Sequence, residues 1–180
     1  MVEREAPLVA ELRAVVVSPE SLFHDHYGRL VRSLGVACDD AEEAADAVQE
    51  AFIQLCLHWQ RVSRYDNPEA WVRRVAVNRL HNRRRSLRRR AVALARLLAL
   101  QPETGTEPDS GVNLREALEK LPDRQRMAVA LHYVGNLSVA EVARAMGISE
   151  GSVNTHLHRA RAALRPVLEA QACSHTTTAR

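Results

Sequence analysis

Apolar residues in the second half of the chain recur every three or four positions, which is the spacing of a helix with one buried face. Pro122 suits the first turn of such a helix, because its missing N–H would have no helical partner there. The stripe that follows consists of Met127, Ala130, Leu131 and Val134. Gly135 and Asn136 then form a stop signal, so the pattern predicts that this helix ends before Gly135.

A capping box marks the start of the next helix, because Ser138 and Glu141 can each accept a hydrogen bond from an unpaired N–H of the first turn. The pattern predicts a short helix over Val139–Met146, and Gly147 permits a tight turn after it. Ser149 can cap a further helix, whose inner stripe consists of Val153, Leu157, Ala160 and Leu164. Two short helices joined in this way predict a helix-turn-helix, whose second helix normally enters the major groove of DNA.

The outer face of this second helix is polar and basic, and its side chains can hydrogen-bond base edges or phosphates. These residues are Glu150, Ser152, Asn154, Thr155, His156, Arg159 and Arg161. The alternative is an ordinary helical bundle with solvated charges. The agreement of caps, turn glycine, apolar spacing and basic outer face favours DNA binding.

Two amphipathic helices are predicted in the first half. The first begins near Ser18 and has the apolar stripe Phe23, Tyr27, Leu30, Val31 and Leu34, with Gly35 near its end. Asp39 and Asp40 can cap the second. Its inner stripe consists of Ala41, Ala44, Ala45, Val48, Phe52, Leu55, Cys56 and Trp59. Another face carries Asp46, Gln49, Glu50 and Ile53, and an exposed isoleucine among acids indicates a docking surface, the alternative being a solvated helix face.

A polar loop, Gln60 to Asp66, precedes a third helix, which Asn67 and Pro68 start. The buried side of this helix is predicted to hold Trp71, Val72, Val75, Ala76 and Leu80, and Trp71 could equally face nucleic acid. Its later turns carry Arg79, Arg83, Arg84, Arg85, Arg88, Arg89 and Arg90. Such crowding of like charges is relieved by a polyanion, which favours nucleic acid over a solubilising charge run.

Composition fits an aliphatic, all-α protein of two small helical domains: 46% of residues are hydrophobic but only 4% are aromatic. The predicted layout is a lead-in at 1–18, a first domain at 19–100, a linker rich in Pro, Gly and acid at 101–111, a helix-turn-helix domain at 112–168 and a disordered tail at 169–180. The net charge is only +3, yet residues 33–60 contain no Lys or Arg and residues 70–102 contain no Asp or Glu.

No catalytic or metal site is predicted. The three cysteines are far apart without a CxxC spacing, which indicates idle or buried thiols in a reducing cytoplasm. His24 and His26, like His156 and His158, are spaced i, i+2 and therefore lie on different helix faces. Neither a signal peptide nor a membrane-spanning apolar run is recognisable.

The two halves together resemble bacterial sigma factors of the extracytoplasmic-function group. The second half is similar to the family's region 4 through LPDRQR, Tyr133, LSVAEVARAMGIS, GSV and HRARAAL. The first half is similar to region 2, with FHDHYGRLVR, DAVQEAFIQL and NPEAWVRRVAVNRLHNRRR in the family's order. The region 4 motif alone is shared with other helix-turn-helix regulators, whereas both motifs in this order are specific.

The resemblance implies partners and roles for particular residues. It implies binding of core RNA polymerase through Asp46, Gln49, Glu50 and Phe52, the last of which also belongs to the inner stripe. It implies that the promoter −10 element, including an unpaired base, is held by Val62, Tyr65, Trp71, Arg74, Asn78 and Arg79. It implies that the −35 element is read by Ser152, Asn154, Thr155, His156, Arg159 and Arg161. Asn154 and His156 stand where members often carry basic residues, and Val62 where relatives often place an aromatic.

A sigma factor needs no cofactor and no catalytic group, because the polymerase supplies the reaction. The resemblance further implies a cytoplasmic protein, without membrane insertion, that is a monomer on the polymerase and has an anti-sigma protein as a candidate partner. The competing hypothesis is a free-standing helix-turn-helix repressor or activator, which would dimerise and bind duplex DNA tightly by itself. The acidic helix and the two-domain layout favour the sigma factor.

Overall fold

The computed structural model describes residues 17–97 and 114–176. Most of the predicted lead-in, the linker at 101–111 and the last four residues lie outside these ranges. Within them the chain is helical and contains no strand, which confirms the all-α prediction. The helices are α1 Pro19–Cys38, α2 Ala41–Leu57, α3 Trp59–Val62, α4 Pro68–Leu97, α5 Leu114–Glu119, α6 Asp123–Val129, α7 Val139–Met146 and α8 Glu150–Thr176, with a π-helical segment at Ala130–Val134.

The predicted helix starts are confirmed by their caps. Ser18 and Ser21 exchange hydrogen bonds at the start of α1. The Asp40 carboxylate accepts from the N–H groups of Glu42 and Glu43, both at 2.9 Å, and Asn67 Oδ1 accepts from Ala70 N–H at 2.8 Å. These side chains satisfy N–H groups that a helix leaves unpaired in its first turn.

The first half packs α1, α2 and α4 around an aliphatic core. Two expected members of the α2 stripe, Ala41 and Cys56, are exposed instead, and both lie near the ends of the helix. The predicted polar loop also contains one turn of helix, α3, and Val62 in it is fully buried. Cys38 is buried too, and burial raises the pKa of its thiol.

The helix-turn-helix is α7, Gly147 and α8, as predicted. Ser138 N–H donates to the Glu141 carboxylate at 2.9 Å and Glu141 N–H donates to Ser138 Oγ at 3.3 Å, which completes the capping box. Gly147 has φ 66°, the left-handed conformation that favours glycine at a helix end. Ser149 Oγ accepts from Ser152 N–H at 3.2 Å and caps α8.

A π-helical segment ends the helix before the turn, which the sequence pattern did not predict. Gly135 N–H donates to the Ala130 carbonyl at 2.9 Å, one residue further back than in an α-helix. A Cβ at Gly135 would lie 2.6 Å from the Leu131 carbonyl oxygen. The stop at Gly135 therefore depends on the absence of a side chain there, and the next residue, Asn136, adopts the left-handed conformation with φ 52°.

The tail boundary at residue 168 was wrong, because α8 continues to Thr176. Pro166 lies inside this helix, and Leu164 and Val167 beside it are buried. A proline inside a helix removes one backbone hydrogen bond. Packing of this apolar side against the rest of the second half stabilises the helix on both sides of the proline. Residues 169–176 therefore extend α8.

The two helical halves also pack against each other. α1 contacts α6 and the π-helical segment, and α4 contacts α7. The buried apolar residues of both halves form one continuous core. Arg126 of α6 donates from Nε to the Ala37 carbonyl of α1 at 2.8 Å. The sequence analysis predicted two domains joined only by a linker and did not predict this interface.

Candidate nucleic-acid and polymerase interfaces

The outer face of α8 is the candidate duplex-reading surface. Its inner stripe, Val153, Leu157, Ala160 and Leu164, is buried as predicted and fixes the rotation of the helix. That rotation exposes Asn154, Thr155, Arg159 and Arg161. Asn154 and Arg159 can reach base edges, because amide and guanidinium groups form paired hydrogen bonds with them. Ser152 is half-buried and its hydroxyl bonds that of Ser149 at 2.9 Å, so it belongs to the helix start.

His156 lies differently from the other predicted readers. It is half-buried, and its buried Nδ1 has no hydrogen-bond partner among the described residues. Desolvation lowers the pKa of His156, and the positive charges of Arg124 and Arg159 lower it further. The lowered pKa favours the neutral imidazole at this position.

His158 was missed as a candidate reader, and the structure places it on the exposed face of α8. It follows Asn154 by four residues and Thr155 by three, so all three side chains share one face of the helix. That spacing was available in the sequence.

The acidic face of α2 is exposed at Asp46, Gln49 and Glu50, as the docking hypothesis requires. Its carboxylates are paired with α4: Glu50 Oε1 lies 2.7 Å from Arg79 Nη1, and Asp46 Oδ2 lies 3.1 Å from Arg83 Nη1. The acidic and basic stretches of the sequence thus face each other across two helices. Ile53, 57% exposed, and Leu57, 69% exposed, continue the α2 surface with an apolar edge.

Phe52, in contrast, is 5% exposed and does not lie on this surface. Its ring packs edge-on against Phe23 with centroids 5.1 Å apart. The assignment of Phe52 to direct polymerase contact is therefore corrected: it supports α2 from within. The cause is the register of α2, which turns Phe52 inward with Val48 and Leu55.

The candidate −10 surface keeps four of its six predicted residues accessible. Tyr65, Arg74, Asn78 and Arg79 are exposed, and Trp71 is half-buried with its ring edge-on to His58. Val62 must be removed from the surface, because α3 turns its side chain fully into the core. A pocket for an unstacked base would have to be built from the Tyr65 ring and the polar groups of α4.

Ion pairs around Glu69 fix the start of α4. The Glu69 carboxylate pairs with Arg73 and with Arg29 at 3.5 Å, and His26 Nδ1 lies 3.2 Å from it. Desolvation lowers the pKa of His26, although Glu69 opposes this shift. Arg73 also reaches Glu141 of α7, 3.4 Å away, and so joins the two halves. Hydrogen bonds from Ser138, and the charge of Arg73, hold the pKa of the Glu141 carboxyl below its usual range.

Comparison with known proteins places both halves in one family. The Sigma-70 region 2 model matches residues 22–90, and the Sigma-70 region 4 model matches residues 111–164. ECF RNA polymerase sigma factor SigM of Mycobacterium tuberculosis is 33% identical over 153 residues, which cover 83% of this chain and 76% of SigM. ECF RNA polymerase sigma factor SigL of the same species is 31% identical over 155 residues, covering 83% of this chain and 88% of SigL.

The chain belongs to the extracytoplasmic-function group of sigma-70 factors. Solved structures share the fold of this sigma factor. RpoE of Bartonella quintana, in complex with the anti-sigma factor NepR, has a TM-score of 0.64 at 18% identity and covers 83% of this chain and 96% of its own. CnrH, in complex with the cytosolic domain of CnrY, has a TM-score of 0.56 at 23% identity and covers 92% of this chain and 99% of its own. No described helix of the sigma factor is both long and apolar enough to span a bilayer.

Proposed function

We propose that this sigma factor divides promoter recognition between its two halves. The acidic face of α2 docks on core RNA polymerase, the Tyr65 loop and the exposed side of α4 hold the melted −10 strand, and α8 reads the −35 duplex. The observation that carries the proposal is the register of α8: its apolar stripe is buried in the second half, so that Asn154, Thr155, His158 and Arg159 project together from it.

The electrostatics support the same division. The exposed arginines of α4, such as Arg85 and Arg89, can track a phosphate backbone, and each neutralised phosphate releases counterions. Tyr65 offers a ring on which a splayed base can stack, and Asn78 offers an amide that can bind a base edge. This combination suits a single strand, which a regulator of closed duplex does not need to hold.

The proposal includes the setting in which the sigma factor acts. It acts in the cytoplasm as one copy per polymerase, without cofactor, metal or catalytic residue of its own. An anti-sigma protein is a further candidate partner, since the similar solved structure of RpoE contains the anti-sigma factor NepR. The reaction itself belongs to the polymerase.

Run-off transcription with purified core polymerase on genomic fragments tests the proposal. We expect discrete transcripts that require both the sigma factor and the core enzyme. The Asn154→Ala variant should lose transcripts, while Glu169→Ala, at an exposed position of α8 remote from the reading face, should retain them. Tight binding of duplex DNA by a dimer without polymerase, together with no transcript from any fragment, would instead identify a free-standing regulator.

A further inference from the structure

A small cavity lies where α4 meets α6 and the turn of the helix-turn-helix, and its volume is about 130 Å³. Its apolar lining comes from several helices and consists of Ala37, Val77, Leu80, Met127, Met146 and Ile148. An apolar cavity of roughly 150 Å³ can hold a benzene ring. The cavity of the sigma factor is therefore large enough for a single ring with a short substituent at its mouth.

Three polar side chains at the cavity have unused hydrogen-bonding capacity. Asn78 and His81 of α4 and Arg124 of α6 contribute to the lining, and all three are exposed. None of them has a hydrogen-bond or ion-pair partner among the described residues. Apolar walls combined with a few convergent polar groups are typical of a small-molecule site. A polar substituent of a bound ring would meet these groups at the mouth of the cavity.

The charges around the cavity favour an anion. Arg84 and Arg124 line it with positive charge, and Asp123 is the one acid among the lining residues that the structure describes. The Asp123 carboxylate is already compensated, because it lies 3.4 Å from Arg126 Nη2 and 3.9 Å from Arg84 Nη1. The Arg124 guanidinium thus remains available for a carboxylate, which would accept charge-assisted hydrogen bonds from it.

The two methionines favour an aromatic ring as the apolar part of the ligand. Met127 and Met146 are half-buried and line the cavity from different helices. A thioether sulfur packs favourably against an aromatic ring, and the unbranched side chain adjusts to the shape of its neighbour. A purely inorganic anion would make no use of this apolar lining.

We propose that this cavity binds a small aromatic carboxylate, with its ring against Met127 and Met146 and its carboxylate on Arg124. The Asn78 amide, which has no other partner among the described residues, donates a second hydrogen bond to the same carboxylate. The site goes beyond the function proposed above and does not depend on it, because it rests only on groups within the sigma factor.

Methyl NMR of the full chain with isotope-labelled methionine can test the site, with benzoate as the probe. The ring current of bound benzoate shifts the signals of nearby methyl groups, so Met127 and Met146 report binding, and Met1 serves as the reference. Met127→Leu and Met146→Leu assign the signals. We expect saturable shifts of both signals with a dissociation constant on the order of 1 mM or lower. Acetate, which lacks the ring, and benzyl alcohol, which lacks the charge, should produce weaker shifts.

Three variants distinguish this site from unspecific binding. Arg124→Gln should weaken benzoate binding about tenfold, because it removes a charge-assisted hydrogen bond. Arg144→Gln, at an exposed arginine of α7 outside the lining, is the matched control and should bind benzoate like the parent. Ile148→Trp places a larger side chain in the cavity and should abolish the shifts, with unchanged helical circular dichroism. If Ile148→Trp does not fold, the comparison of Arg124→Gln with Arg144→Gln still decides.

The absence of a saturable shift of both methionines at about 20 mM benzoate, where a millimolar site is nearly filled, would overturn the site. Equal shifts with benzyl alcohol, or equal weakening by Arg124→Gln and Arg144→Gln, would overturn the assignment of an anionic ligand. None of these measurements requires polymerase or DNA, so failure of the proposed function would leave their result unchanged.

Discussion

Glu50 of α2 and Arg79 of α4 form an ion pair at 2.7 Å, which joins a residue assigned to polymerase docking with one assigned to promoter DNA. Both side chains are nearly half exposed, 47% and 44%, so water and salt weaken their attraction. Either side chain can therefore exchange this ion pair for a stronger interaction with another partner. The pair also explains how an arginine-rich helix is tolerated in the free protein, because α2 supplies part of its counter-charge.

The docking hypothesis predicts that Asp46→Asn with Glu50→Gln abolishes co-purification with core polymerase. Neutral substitutions are better than charge reversal, because lysine at these positions would repel Arg79 and Arg83. Exposed ion pairs contribute about 0.2–1 kcal/mol each, so thermal unfolding should change little. Glu42→Gln, at the exposed start of the same helix, should still co-purify. Undiminished co-purification of the double variant would contradict the assignment.

A second prediction concerns the π-helical segment. Gly135→Ala should lower the free energy of unfolding by about 1–3 kcal/mol, because the new Cβ would meet the Leu131 carbonyl at 2.6 Å. Chemical denaturation followed by circular dichroism measures the change.

The same substitution at Gly28, inside α1, is the control for Gly135→Ala. A Cβ there would meet only Arg32 Nη1, at an ordinary 3.5 Å. Gly28→Ala should therefore raise stability by about 0.5–1 kcal/mol, the usual gain from removing a helical glycine. Equal effects of the two substitutions would show that the clash at Gly135 relaxes without cost.

Features determined by neighbouring residues were predictable from sequence. The caps at Asp40, Asn67 and Ser138, and the left-handed turn at Gly147, follow from side chains that bond the adjacent backbone. Burial by distant elements was not predictable in this way. Val62 was predicted to lie in a polar loop, but it is buried in α3. His156 was predicted to be exposed like its neighbours on α8, but it is half-buried.

The contact between the two halves could not be predicted from the sequence for a related reason. Arg73 and Arg74 are adjacent in the sequence and chemically identical, yet the first is buried between two glutamates and the second is exposed. Arg73 has one local partner, Glu69, four residues earlier, but its other partner, Glu141, is 68 residues away in the chain. Arg126 likewise finds its acceptor, Ala37, 89 residues away. Long-range hydrogen bonds and ion pairs of this kind leave no periodic pattern in a sequence.

A third prediction concerns the reading of duplex DNA by α8. Asn154→Ala and His158→Ala should each change preference at one or two bases of the −35 element, by ~1–3 kcal/mol per lost contact. His156→Ala, predicted from sequence to do the same, should have a smaller base-specific effect because its ring is half-buried. Arg161→Ala should weaken all sequences about equally if it contacts phosphate. A base-specific loss at Arg161 with none at Asn154 or His158 would show that the helix enters the groove in another orientation.

The last prediction separates promoter opening from polymerase binding. With core polymerase, the sigma factor should produce permanganate-reactive thymines near the start site of a cognate promoter. Asn78→Ala should reduce this reactivity while polymerase binding stays intact, because the exposed Asn78 amide lies on α4, away from the acidic face of α2. The contact it loses forms only with the melted strand, so the closed complex should be affected much less.

Asn82→Ala provides the control, since it removes the same amide one turn further along α4, also at an exposed position. Equal loss of opening in both variants would mean that α4 acts through its general polarity rather than through a base contact at Asn78.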